Sequence, residues 1–262
     1  MICFSDLDRT LICSKKLVDG NPDAICIEYK GDEEISYVND EIVNNLKKLN
    51  KKMLFVPTTT RSLEQFDRID FNRFGIEFKY SIVSNGAIIL KNGKPMESWS
   101  NKVREIKENS TSMNVLLEEY HNVYSDTISS YIKMFRVVED NFFYVVLNKD
   151  IDKIDFLEDF IRYIEDNNWV YFKNCSKVYF LPRGITKESA IGFLLKEELD
   201  EDEFIALGDS KMDEGMLRCA KKSYIPKHGD LASSFEHSDL YLTKETGLNA
   251  VNEILETLLL DN

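Results

Sequence analysis

Residues 4–11 read FSDLDRTL. A short apolar run over residues 2–5 closes on Asp6 and Asp8, and Thr10 follows two positions on. Most acidic pairs near an N-terminus lie on a solvated surface. This pair ends what reads as a buried strand, and clustered carboxylates repel one another unless something positive joins them. Two later apolar runs end the same way. MLFVPTTTR (53–61) stops at hydroxyls, and EFIALGD (203–209) stops at Asp209. In an open parallel sheet, ligands bind beyond the carboxyl ends of the strands. Groups far apart in sequence can therefore converge there. A hard divalent cation such as Mg²⁺ is the simplest agent to hold such carboxylates, and it leaves room for a phosphate.

The intervening sequence supports a parallel sheet. NDEIVNNLKKLNKK (39–52) places apolar residues at 42, 43, 46 and 49, a helical spacing with Asn39 or Asp40 as cap. SLEQFDRIDFNRF (62–74) reads as a second helix, and YSIVSNGAIIL (80–90) as a strand pair around Asn85-Gly86. Strand–helix–strand alternation over the first 90 residues predicts an α/β fold with a parallel, Rossmann-like sheet. A hairpin is expected over 25–38, turning at Lys30-Gly31-Asp32. From residue 98 to 180 the style changes. Residues 101–121 read as helix and 130–148 as a hairpin. A helix over 154–167 and a second hairpin over 169–184 follow, and aromatics are frequent. This αββαββ block is expected to be an inserted α+β domain with an aromatic core. The α/β style then returns, so the expected organisation is a core domain of 1–97 and 181–262 with an insert of 98–180.

Composition narrows the function. The chain has 262 residues and a net charge of −13, with a pI near 4.8 and a mean hydropathy of −0.31. Such a charge disfavours nucleic acid and anionic membranes, which need basic patches. Local lysines or a cation can still admit an anionic small molecule. The five cysteines, Cys3, Cys13, Cys26, Cys175 and Cys219, form no CxxC pair. That pattern suits reduced thiols rather than a disulfide framework or zinc site. No run is long and apolar enough to span a bilayer and no signal peptide is evident, so a cytoplasmic protein is expected.

Four segments in order give the pattern a family. DLDRT (6–10), Thr59 two before Arg61, Lys187 in GITKESAI, and GDSKMD (208–213) resemble the four motifs of the haloacid dehalogenase superfamily. The likeness is to its phosphatase branch with a C2B-type cap, Cof-like or sucrose-phosphatase-like, and SNGAII (84–89) resembles the segment that precedes that cap. The resemblance implies a Rossmann-like core with the αββαββ insert as cap. It implies Asp6 as nucleophile and Asp8 as acid and base, with Thr59 and Lys187 on the phosphoryl group. Mg²⁺ is implied on Asp6, the Asp8 carbonyl and Asp209, with Asp213 in support. Thr58 remains an alternative phosphate ligand, and Thr60 or Ser62 an alternative helix cap. Arg9, Thr58, Arg61 and Asn85 are candidate substrate contacts. The implied activity is Mg²⁺-dependent hydrolysis of a small phosphorylated metabolite, such as a sugar phosphate, through an aspartyl-phosphate. A phosphomutase of the same fold and a non-catalytic phosphometabolite-binding protein are the alternatives.

The chain also departs from the family. Arg9 replaces a frequent glycine, Thr60 replaces the glycine before the motif-two arginine, and Met212 replaces an asparagine. IPKHGD (225–230) replaces a small-residue segment. The DLDRT variant resembles proteins encoded beside tellurite-resistance-type clusters. Lys133, Arg136, Lys173, Lys177 and Arg183 are candidate cap contacts with substrate, and the 25–38 hairpin is a candidate flap. His121, His228 and His237 receive no role.

Overall fold

β1 (Ile2–Ser5) is the buried strand the opening residues foretell, with all four positions inaccessible. The computed structural model describes residues 1–18, 20–149 and 153–261. The central sheet is completed by β2 (Leu54–Pro57), β3 (Ile205–Leu207), β4 (Lys222–Ile225) and β5 (Leu240–Leu242). Its spatial order is β5-β4-β3-β1-β2, and every pairing is parallel. Cys3 sits between Phe55 and Ile205. The chain therefore runs outward from β1 in both directions, which makes β1 the switch point where such sheets bind ligands.

The chain divides into two compact units, Met1–Met96 with the chain from Lys187 onward, and Glu97–Thr186. In the first, helix Asp40–Lys52 buries Ile42, Val43, Leu46 and Leu49, the stripe read from sequence. Asn39 caps it, its side chain accepting from the Ile42 N–H at 2.9 Å. The stripe joins a core shared with Phe55, Leu207 and the apolar face of helix Gly247–Asp261. The hairpin forms from Ile25–Lys30 and Glu33–Val38, and Cys13–Ser14 adds a third strand beside the latter.

The helix expected over 62–74 is shorter. It covers Leu63–Asp67, capped by Ser62, and a single 3₁₀ turn follows at Asn72–Phe74. Between them Ile69 bridges Glu28, and the Asp70 N–H donates to the Ile27 carbonyl at 2.9 Å. Pairing with the hairpin takes the backbone groups the helix needs.

In the second unit, the strands Ile132–Val138, Phe142–Leu147, Trp169–Asn174 and Lys177–Pro182 form an antiparallel sheet. Helix Glu158–Asp166 packs on it through Phe160, Ile161 and Ile164. The aromatic residues make this unit's core, where Phe143 stacks on Phe180 at 4.9 Å. The helix expected over 101–121 is two helices, Glu97–Glu108 and Met113–Glu119. Thr111 breaks it: its N–H and hydroxyl both bond Asn167, and its carbonyl accepts from the Trp169 indole at 2.8 Å. Register puts Arg136 and Lys177 on the sheet face that also carries Tyr144 and Tyr179, opposite the core face. Lys173 has core-face register opposite Val178.

Candidate active site

The site is built outward from the end of β1. The Asp6 N–H donates to the Leu207 carbonyl at 2.9 Å, and the Thr58 N–H to the Ser5 carbonyl at 2.7 Å. The backbone at Asp6 is thus fixed between β3 and β2. The chain then winds tightly, with the N–H groups of Thr10, Leu11 and Ile12 all turned onto the Leu7 carbonyl. Arg9 takes a left-handed backbone at φ 64° to make this loop. That conformation disfavours a side chain with a Cβ. The Thr10 hydroxyl lies 3.4 Å from Asp6 Oδ2.

Lys187 opens helix Lys187–Leu194 but is buried, not solvated. Its Nζ donates to Asp6 Oδ1 at 2.7 Å and Asp213 Oδ1 at 2.6 Å. Burial works against its charge, but Asp213 and Asp6 more than offset this and hold its pKa above the usual lysine range. Two carboxylates thus answer the unfavourable placement of a cation at a helix start. The other oxygen of Asp213 accepts from the Asp209 N–H, the Ser210 N–H and the Ser210 hydroxyl at 3.0–3.1 Å. Asp213 therefore braces the loop that presents Asp209. Gly208 is required for this fold-back, because a Cβ there would lie 2.5 Å from the Asp213 Cβ.

Asp6, Asp209 and Asp213 each bring a carboxylate oxygen within 4.8 Å of the others. Burial pushes the Asp6 pKa up to about 7; Lys187 opposes the rise, while Asp213 and Asp8 add to it. Burial, then Asp213 and Asp6, push Asp209 up to about 9. Asp209 Oδ2 is buried with no hydrogen-bond donor among the described residues, although Arg9 Nε is an ion-pair neighbour at 3.2 Å. A cluster short of positive charge, with an orphaned buried carboxylate oxygen, fits a hard divalent cation.

At the end of β2 the adjacent threonines differ. The Thr58 hydroxyl donates back to the Val56 carbonyl at 3.2 Å. The Thr59 hydroxyl accepts from the Arg61 N–H at 3.1 Å, which leaves its own proton for an acceptor. The Ser84–Gly86 turn is tied to this segment: Ser84 N–H donates to the Arg61 carbonyl and Asn85 N–H to the Thr59 carbonyl. Asn85 has φ 54°, and its buried Oδ1 has no hydrogen-bond donor among the described residues.

Arg61 grips Asp8 with two bonds, Nε to Oδ2 at 2.7 Å and Nη2 to Oδ1 at 2.8 Å. Arg9 turns toward Asp209, Asp230 at 3.1 Å, and the His228 carbonyl. His228 returns a bond from Nε2 to the Arg9 carbonyl at 2.8 Å and accepts from the Gly247 N–H at Nδ1. Burial lowers the pKa of this imidazole, which suits a neutral ring with its proton on Nε2. Asp230 and His228 both lie within the IPKHGD departure (225–230), whose link to Arg9 has no mark in the sequence.

A model of haloacid dehalogenase-like hydrolases matches residues 3–230. The chain belongs to the haloacid dehalogenase-like hydrolases. Solved structures of similar fold include the sucrose-phosphatase of Synechocystis in complex with sucrose and phosphate. It shows a TM-score of 0.69 at 13% identity, over 98% of this chain and 97% of that one. A haloacid dehalogenase-like hydrolase from B. subtilis gives 0.61 at 17% identity over 98% and 99%. The trehalose-6-phosphate phosphatase of Aspergillus fumigatus gives 0.56 at 14% over 98% and 91%. No curated protein sequence matches significantly. In this haloacid dehalogenase-like hydrolase, Asp6, Lys187, Asp209 and Asp213 form one buried cluster, and Asp8 stands beside it in the grip of Arg61. Glu28 and Ser36 hold Arg61, and no motif in the sequence marks either of them.

Proposed function

We propose that the protein is a Mg²⁺-dependent phosphomonoester hydrolase that works through an aspartyl-phosphate on Asp6. The observation that carries this reading is the buried cluster of Asp6, Lys187, Asp209 and Asp213 at the carboxyl end of the sheet. A carboxylate is a ready nucleophile once its charge is balanced, and the covalent step divides one hard displacement into two. An Asp6 oxygen forms a bond to phosphorus as the ester oxygen leaves, and Asp8 gives that oxygen a proton. Asp8 then takes a proton from water, the water oxygen bonds to phosphorus, and the bond to Asp6 breaks to release inorganic phosphate. Lys187 and the Thr59 hydroxyl offset the charge on the phosphoryl oxygens. Asp6, Asp209 and the Asp8 carbonyl would hold Mg²⁺, with Asp213 in support. When bound, the ion supplies positive charge that neutralises and orients the transferring group.

The sucrose- and trehalose-phosphate phosphatases among the structural neighbours favour a sugar phosphate or similar small metabolite as substrate. The 98–180 insert, in this reading, is the enzyme's cap domain. No described helix is long and apolar enough to cross a membrane, and the described cysteines form no disulfide; we place the enzyme in the cytoplasm.

The test is inorganic phosphate released from a panel of sugar, polyol and nucleotide phosphates, with Mg²⁺ or with EDTA. Release that requires Mg²⁺ is expected, strongest on a sugar or polyol ester. Release undiminished by EDTA would contradict the metal dependence, and no release from any compound would move the reading to a phosphomutase or a binding protein.

Metal and pH should be linked. In the metal-free protein the raised pKa values of Asp6, about 7, and Asp209, about 9, mean that the folded state keeps protons the unfolded chain has lost. Stability then falls as pH rises from the ordinary carboxylate range toward those values. A cation replaces the missing protons. The expected result is a Tm increase on adding Mg²⁺ that is larger at about pH 8 than at about pH 5.5. An equal increase at both would contradict it.

A further inference from the structure

Glu28 is an acidic residue on a hairpin rich in acids, yet its carboxylate is wholly buried. A buried carboxylate is costly unless paired and hydrogen-bonded. Oε2 leads toward Asp8, while Oε1 pairs with Arg68. Oε2 takes Arg61 Nη1 at 2.8 Å and the Ser36 hydroxyl at 2.7 Å, and Oε1 takes Arg68 Nη2 at 3.1 Å. Ser36 lies across the hairpin from Glu28, and its oxygen also accepts from Arg61 Nη2 at 3.2 Å. Arg61 Nη1 reaches the Gln65 carbonyl at 3.3 Å as well. With Nε and Nη2 on Asp8, all five guanidinium donors are engaged. The fork is held from behind by Glu28, Ser36 and Gln65, and its open side is Asp8.

We infer that Glu28 is a positioning residue for Asp8, acting through Arg61, and that the 25–38 hairpin thereby sets the geometry of proton transfer. The inference rests on the acid–base role proposed for Asp8. Arg61 gives one hydrogen bond to each Asp8 oxygen and so fixes the plane of the carboxylate. Arginine has many rotamers to lose, so a buried anion that fixes its plane fixes the carboxylate in front of it. Partners one shell out commonly matter in this way for reactive groups. The hairpin is irregular here: the ladder shifts register on both sides of Glu28, which turns Glu28 inward at a position where strict alternation fails.

The test compares an alkyl phosphate with p-nitrophenyl phosphate. The alkoxide leaving group needs a proton from Asp8, whereas nitrophenolate leaves without one. Asp8→Asn should therefore depress kcat/KM, which reports the leaving-group step and not the shared hydrolysis of the aspartyl-phosphate, far more on the alkyl ester than on the aryl ester. Glu28→Gln should reproduce that split, with kcat/KM about 10- to 100-fold lower on the alkyl ester and little changed on the aryl ester. Ser36→Ala should show the same split more weakly, and it carries the test if Glu28→Gln does not fold. Equal loss on both esters in the Glu28 and Ser36 variants, with the split intact in Asp8→Asn, would overturn the inference and leave the proposed function standing. Absence of the split in Asp8→Asn would overturn the role of Asp8 and the inference with it.

Discussion

Asp6→Asn should abolish turnover and leave the fold standing. An amide at this position cannot form the acyl-phosphate, and losing a covalent nucleophile costs on the order of 10³-fold or more in kcat. The same change should barely alter the stability of the metal-free protein. Burial, Asp213 and Asp8 all oppose the charge on Asp6, so its loss relieves repulsion. Lys187 gives up one bond at 2.7 Å but keeps Asp213 at 2.6 Å. Phosphate release and a thermal melt in EDTA, run on the same preparation, check both halves. Turnover near the wild-type rate would sink the assignment of Asp6, and a collapsed melt would show that Asp6 is structural.

Lys187→Met should behave in the opposite way, costing both stability and activity. Methionine keeps an apolar stem of similar reach but removes the one buried ammonium between Asp6 and Asp213. Removing one partner of a buried ion pair leaves an uncompensated charge, a loss of roughly 3–5 kcal/mol. Here the loss falls on carboxylates already pushed together with Asp209. Urea unfolding in EDTA should show a lower midpoint with an unchanged slope, and phosphate release should fall steeply. A midpoint equal to wild type would mean that the lysine charge does not hold the cluster together.

Much of this arrangement is legible in the chain itself, because strand ends in a parallel sheet are marked by a change from apolar to chemical residues. FSDLD, VPTTT and LGD each mark one, and β1, β2 and β3 prove to be adjacent. Lys187 is legible through the resemblance of GITKESAI to the family's third motif, and it opens its helix against the dipole. Thr58 and Thr59 looked equivalent, since only hydrogen bonds to Val56 and Arg61 separate them. Glu28 was hidden by the bulge that turns it inward, for alternation cannot locate a residue where the ladder shifts. Ile69 and Asp70 carried a helical pattern that pairing with the hairpin overrides. The contacts of Arg9 with Asp230 and His228 join residues more than 200 positions apart, a distance no local pattern spans.

The most direct test of the central claim is to trap the covalent intermediate. Asp8→Asn slows the hydrolytic step, so this variant would be incubated with Mg²⁺ and p-nitrophenyl phosphate, whose leaving group needs no proton, quenched in acid, digested and read by mass spectrometry. The account predicts the mass of one phosphoryl group on the peptide that contains Asp6, absent when Asp6→Asn is added to the variant. A phosphoryl group on another residue, or none while phosphate is still released, would contradict it.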